Sequence, residues 1–422
     1  MTNQKRGRLV ILAALVGALI WGFSIQVQAQ RTVEISHMWG GGEGESFNAE
    51  LDRFEALHPD IKLMRQQSPS EEYRALLMTQ FAAGDPPAVF AHPWPAFMGE
   101  LARAGQLLAL DDVWREKDWD RYYSQSWKEM GSYEDQVYGV WIKSNCKSAF
   151  WYTVKEFEEL GLTEPKNWDE FLDIGAKFKE AGTPPPYIIT GAKDAWPLTD
   201  WFENTFLKVG GPVLYNQLIR HEISWKHPKV IEAFEVIKDL LDKDYFAPNL
   251  LGYGFFESFM KRTRGEAGMQ LMGGWINGMT QAEFGWKPGV DFTFFTYPII
   301  DPSFPMAITV GADIVNIAKG AKGIEEAKIL VDFLASPEAQ AIWVERGGLI
   351  APNKLVTLDF YDANAKKEAL ALSNYVVVFD LDDMIPTELS TAFRAELQRF
   401  FDNPTLLEDI LNTMEAKAED LY

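Results

Sequence analysis

Few residues in this chain have the types and spacing needed for covalent chemistry. Its histidines are His37, His58, His92, His221 and His227, and its single cysteine is Cys146. One thiol can form neither an internal disulfide nor a cysteine-based metal site. Cys146 is therefore expected as a small buried side chain. His58 and His227 each precede a proline beside a helix end, which suits structural roles. The sequence contains no Gly-x-Ser-x-Gly elbow and no His-Glu-x-x-His pair. The glycine-rich run Gly40-Gly41-Gly42-Glu43-Gly44 lacks the Gly-Lys-Ser/Thr that phosphate binding uses. The chain is instead rich in aromatics and acids, with 15 Trp, 14 Tyr, 28 Phe and 61 Asp plus Glu. Most aromatics pack cores, so position decides which could serve a site. Trp39 stands beside glycines that let backbone approach a ligand closely. Asp313 comes just after a glycine and leads into a strand, where its carboxylate could accept bonds from two hydroxyls or cap a turn.

The elements that must position these residues follow from periodicity. Residues 32–36 alternate like a strand, and 38–45 read as the loop after it. Phe47, Leu51 and Phe54 recur at i, i+4, i+7, the stripe of an amphipathic helix that Pro59 stops. A second strand is expected at 61–64, a helix with Tyr73, Leu76, Leu77 and Phe81 ended by Gly84, and a buried strand at 88–91. A helix near 97–104 closes at Gly105. Strand alternating with helix argues for a parallel sheet with helices on both faces. Ligands of such sheets sit beyond the carboxyl ends of the strands, which singles out the loops 38–45 and 92–95. Further along, extended pieces at 139–142 and 149–153 flank a polar stretch, 143–147. Helices are expected at 155–160, 168–181, 228–243 and 324–335, strands at 292–300 and 313–317, and a stiff connector at 183–186. Ser336-Pro337 reads as an N-cap with proline at the first helical position, and the tail after Pro386 as two helices broken at Asn403-Pro404.

At 422 residues the chain can bury large cores without disulfide staples. Lys5, Arg6 and Arg8, the uncharged run 9–23 and Val27-Gln28-Ala29 read as a secretory leader cut after Ala29. The uncharged run is shorter than the roughly 20 residues that span a bilayer. Net charge is −21 for the whole chain, more negative still without the leader's three cations. Such a surface repels nucleic acid and anionic membranes.

Several segments, in order, resemble the sugar-class extracellular solute-binding proteins of bacterial ABC importers. They are Val33-Glu34-Ile35-Ser36-His37-Met38-Trp39; Phe54-Glu55-Ala56-Leu57-His58-Pro59-Asp60-Ile61-Lys62; Ala82-Ala83-Gly84-Asp85-Pro86-Pro87-Ala88-Val89-Phe90; Tyr138-Gly139-Val140 and Trp151-Tyr152-Thr153; Gly265-Glu266-Ala267-Gly268-Met269 with Gly273-Gly274-Trp275; Gly311-Ala312-Asp313; and Ala335-Ser336-Pro337-Glu338-Ala339-Gln340. In the third, Ala88 replaces the family's usual aspartate. The resemblance implies an α/β, two-lobed periplasmic-binding-protein fold, each lobe a mostly parallel sheet flanked by helices, joined by a multi-crossing hinge. One lobe would hold 31–142 and 309–350, the other 143–308 and 351–422. The implied protein is a periplasmic monomer that is not an enzyme, carries no cofactor or metal, and passes a sugar-like ligand to ABC transporter permease subunits.

A sugar presents hydroxyl edges and apolar faces, so its site combines stacking aromatics with hydrogen-bonding side chains. The resemblance puts Trp275 on the sugar and adds Trp39, Glu43 and Glu45 from the first loop, His92 and Trp94 from the loop after the third strand, and Trp196 from the second lobe. Asp313 and Arg346 complete the expected set. Lys143, Ser144 and Asn145 lie near the first crossing as weaker candidates. The rival readings are an exported carbohydrate-active hydrolase, which needs two carboxylates roughly 5–10 Å apart, and a receptor for an anionic sugar derivative or a polyol.

Overall fold

The computed structural model describes residues 31–181 and 187–422. The leader expected at 1–29 and the connector at 183–186 lie outside the described residues. Twelve strands are described: β1 (Arg31–His37), β2 (Ile61–Gln67), β3 (Val89–His92), β4 (Ser132–Tyr133), β5 (Gln136–Val137), β6 (Gly139–Cys146), β7 (Ala149–Thr153), β8 (Ile188–Ile189), β9 (Met269–Met272), β10 (Phe292–Thr296), β11 (Ala307–Ile317) and β12 (Val376–Phe379).

The first sheet runs β12-β11-β3-β1-β2, with β6 on the other side of β11. β1 pairs in parallel with β2 and β3, and β11 in parallel with β12. β11 is antiparallel to β3 and β6. The second sheet runs β10-β7-β9-β8. Here the expected parallel pairing is corrected: β7 is antiparallel to both neighbours, and only β8–β9 is parallel. The reason is local. β6 leads straight into β7 through Lys147 and Ser148, and β7 then pairs with β9 and β10, strands from distant parts of the chain. Each sheet has its own core. One cluster gathers Val33, Phe47, Phe54, Trp141, Ile314 and Trp343, and also takes in Tyr361 and Phe379. A second gathers Phe150, Trp201, Phe295, Leu389 and Phe400, with a smaller one around Trp151, Phe259 and Ile276. These are the two lobes, and β6 and β11 are among the crossings between them.

β11 sets the geometry of the crevice. All eleven of its residues are buried, and its near-continuous run of β-branched and apolar side chains suits a strand covered on both faces. On one side, β12 pairs with it only up to Val310 and β3 only from Ile314. Gly311, Ala312 and Asp313 therefore lie in a gap where the carboxyl ends of β3 and β12 meet. A register shift follows at Asp313/Ile314, the kind of bulge that re-aims a side chain.

The helix expected from Phe47, Leu51 and Phe54 spans Gly41–Leu57 and buries all three. It begins earlier than expected, so the loop is only 38–40. Glycine permits this: a Cβ at Gly44 would lie 2.8 Å from the Trp39 carbonyl oxygen. Ile324–Ala335 is a helix, and Ser336 Oγ caps the next one, Pro337–Val344, at Ala339 N (3.2 Å). The tail forms helices Thr387–Asp402 and Leu407–Leu421 on either side of Asn403-Pro404. The longest helix, Pro197–Ile219, has a kink at Gly211 that periodicity did not reveal. Cys146 is buried, its thiol pushed up to about 12 by burial.

Candidate functional site

The site is built around Lys143 on β6. Lys143 lies opposite Asp313 in the β6–β11 register, and its side chain is almost fully buried. Its ammonium pairs with Glu43, in the first turn of helix Gly41–Leu57, and with Asp313 Oδ2 at 3.6 Å. Three indole rings surround the same ammonium: Trp343 at 5.2 Å, Trp39 at 5.5 Å and Trp275 at 5.7 Å. These distances are within cation–π range. Burial works against the Lys143 charge, but Glu43 and Asp313 outweigh it and raise its pKa. Burial pushes Asp313 up to about 6 despite the pull of Lys143.

Each ring is placed by its own element. Trp39 sits in the middle of the loop after β1 and packs edge-on to Phe47 (4.7 Å) and Trp343 (4.9 Å). Trp275 precedes helix Ile276–Phe284 and lies over Gly273, where a Cβ would come 2.0 Å from the ring. Trp275 is half-buried, and Trp196 stands 5.9 Å away at the start of helix Pro197–Ile219. The indole N–H groups of Trp39, Trp196 and Trp343 are buried without a hydrogen-bond partner among the described residues, as is Asn145 Oδ1.

Four residues along the strand direction, Lys147 repeats the pattern on the same face as Lys143. Its ammonium pairs with Asp380 and with Asp200 Oδ1 at 3.0 Å, and lies 5.9 Å from the Trp196 ring. Gly311 makes room for its stem, since a Cβ there would be 3.0 Å from Lys147 Cδ. Asp380 keeps its charge: burial opposes it, but Lys147 holds its pKa below the usual range. Burial and the Asp380 charge push Asp200 up to about 8. Glu203, Asp380 and Asp382 bring carboxylate oxygens within 4.8 Å of one another. Most of their oxygens are already engaged: Leu381 and Asp382 amides donate to Glu203 at 3.0 Å, Arg394 Nε donates to Asp382 at 2.6 Å and Lys147 donates to Asp380 Oδ2, while Asp380 Oδ1 has no partner among the described residues. On the far side Arg74 stacks over Trp94, with Cζ 4.1 Å from the ring, and its Nε and Nη2 have no hydrogen-bond partner among the described residues.

Of the expected residues, Trp39, Glu43, Trp275 and Asp313 converge on Lys143, and Trp196 adjoins them through Trp275, whereas Trp94 is buried in the first lobe's core between His92 and Arg74. Three expectations are corrected. Glu45 is exposed, because the helix starts at Gly41 and turns it outward. Arg346 is exposed just past the helix that carries Trp343. His92 is fully buried, stacked between Phe90 and Trp94, and its Nδ1 accepts from the Trp94 amide at 3.1 Å. It therefore shapes the loop and does not line the crevice. Sequence reasoning missed Trp343, Lys147, Arg74 and the acids at 380–383. Lys143, considered only as a weaker candidate, turns out to be central.

The two lobes touch across this site. A Cβ at Gly42 would lie 2.8 Å from Ala282 Cβ, and one at Gly278 would lie 2.7 Å from the Gly347 carbonyl oxygen. At the other end Glu100 accepts from the Thr387 amide at 2.9 Å.

The model of a bacterial extracellular solute-binding protein matches residues 40–341. An uncharacterized ABC transporter extracellular-binding protein of Pyrococcus horikoshii is 30% identical over 358 residues, covering 83% of this chain and 78% of the relative. The alpha-glucosides-binding periplasmic protein AglE of Rhizobium meliloti is 26% identical, covering 85% of this chain and 81% of its own. Among solved structures, the bacterial solute receptor AcbH, described as having an exclusive preference for β-D-galactopyranose, superposes with a TM-score of 0.84 at 18% identity, over 93% of this chain and 99% of that one. With two sheet-based lobes, a crevice where strand ends meet and a family match over most of its length, the chain belongs to the bacterial extracellular solute-binding proteins.

Proposed function

We propose that this protein captures a neutral, polyhydroxylated solute of the sugar class between its lobes and delivers it, chemically unchanged, to an ABC permease. The lobes are taken as 31–142 with 309–350 and 143–308 with 351–422, in a monomer exported by cleavage after Ala29. The carrying observation is the cluster of Trp39, Trp275 and Trp343 around the Glu43–Lys143–Asp313 ion pairs. Aromatic faces and charged hydrogen-bonding groups together match the two chemistries of a sugar surface. A relative named for α-glucoside binding and a structural neighbour described by its galactopyranose preference support the same class.

Charge balance favours a neutral guest over an anionic one. Lys143 and Lys147 each already face two carboxylates, and Arg394 faces Asp382 and Asp383. The same pairing speaks against hydrolysis. Glu43 and Asp313 are clasped on one ammonium, in the space where a general acid and a nucleophile would need the scissile bond between them.

Calorimetric titration with neutral sugars, polyols and anionic sugars, followed by mass analysis of the recovered ligand, tests this reading. Neutral solutes are expected to bind at one site and be recovered intact. Trp275→Ala should weaken binding by about 2 kcal/mol. Preferential binding of anionic sugars, or turnover of the ligand, would refute the proposal.

A further inference from the structure

Behind Trp275 lies a second polar niche that the solute crevice does not use. Arg262, on helix Phe255–Thr263, is fully buried. Its Nη2 donates to Thr280 Oγ1 at 3.3 Å, and its Cζ lies 5.7 Å from the Phe259 ring. Its Nε and Nη1 have no hydrogen-bond partner among the described residues. Glu156 is the carboxylate whose field reaches it, yet the two form no direct ion pair, and Glu156 Oε2 is itself buried and unpartnered. Burial pushes Glu156 up to about 7, so its negative charge is only partly present near neutral pH.

Two more polar groups share this face. Gln270 is fully buried with both ends of its amide unpartnered, and Thr153 Oγ1 is buried and unpartnered. Gln270 lies opposite Trp151 in the β7–β9 register. The strand pleat puts Thr153, two residues on, on the same face as Trp151. Helix Phe255–Thr263 packs there through Phe259, in one cluster with Trp151, Met272 and Ile276. Thr280 comes from the helix that Trp275 precedes. A buried guanidinium that makes no direct ion pair, with Glu156 acting on it only at longer range, is costly for a core to hold. Water would supply hydrogen bonds but no charge.

We infer that this niche between β7, β9 and the helices carrying Glu156, Arg262 and Thr280 is a binding site for a monovalent anion of chloride's size. Arg262 Nε and Nη1 are its principal donors, and the Gln270 amide lines the same face. The anion sits in the lobe that carries Trp275 and supports it from behind.

The test is calorimetric melting in chloride against gluconate at matched ionic strength, paired with bromide soaks of crystals. Saturating chloride should raise the wild-type midpoint by about 2 °C, and an anomalous bromide peak should stand beside Arg262. Glu156→Gln, which removes the competing carboxylate, should lower the chloride concentration needed several-fold. Arg262→Met should abolish the dependence. If Arg262→Met does not fold, the bromide peak and Glu156→Gln still decide. A midpoint indifferent to chloride in wild type and Glu156→Gln, or a chloride effect that persists in Arg262→Met, would overturn the inference.

Discussion

Lys143 carries more of the site than any other side chain, because it is the point on which both acids and three rings converge. Removing one partner of a buried ion pair leaves the others uncompensated, typically at about 3–5 kcal/mol. Lys143→Met should therefore destabilise the protein by about 3 kcal/mol in chemical denaturation, because Glu43 and Asp313 would then face each other without a counter-charge. A loss below about 1 kcal/mol would mean that the ammonium is not the hub. His37 makes a second residue-level prediction. Burial, then the charge of Arg65, lowers its pKa to about 4, against an ordinary value near 6.5. As pH falls from about 6.5 towards 4, the unfolded chain takes up a proton that the folded chain refuses, so stability is lost with acidification. Between pH 7 and pH 5 the wild type should lose about 2 kcal/mol more than His37→Phe. Equal losses would contradict the assignment.

Elements explain both what the sequence made legible and what it hid. Trp275 was readable because it follows two glycines at a helix start, and Asp313 because Gly311 stands two residues before it, although Asp313 lies within β11 and not at the strand start expected at 313. The stripe of Phe47, Leu51 and Phe54 gave the helix, but not its start: only the close approach of Gly44 to the Trp39 carbonyl moves Glu43 inward and Glu45 outward. Lys147, Arg74 and Asp380 were hidden because their roles depend on pairing across long sequence separations. Lys147 meets an acid 233 residues away, and no local pattern announces such a meeting. Trp343 lay within a helix whose cap was recognised, yet its inward face could not be known before that helix was docked on helix Gly41–Leu57. The same docking surfaces predict how closure can be blocked. Gly42→Val would force the helix Ile276–Phe284 away from helix Gly41–Leu57, since even a Cβ meets Ala282 at 2.8 Å. Solute affinity should fall at least tenfold while the free protein's melting temperature stays within about 2 °C. Unchanged affinity would show that this contact is not part of the bound state.

At the scale of the whole molecule, two cores meet at a crevice that is lined from both sides and spanned by β6 and β11. A hinge closes when a guest touches both lobes better than either alone, and the guest shifts the population by that difference in contact. Glu43 and Asp313 come from one side and Trp196 and Trp275 from the other, so a solute between them would hold the lobes together. The most direct test is a crystal structure of the protein with its tightest-binding neutral solute. The expected result is an intact guest against the Trp275 ring, within hydrogen-bonding reach of the Lys143–Asp313 pair and enclosed by both lobes. A guest bound outside this crevice, or one found cleaved within it, would contradict the account.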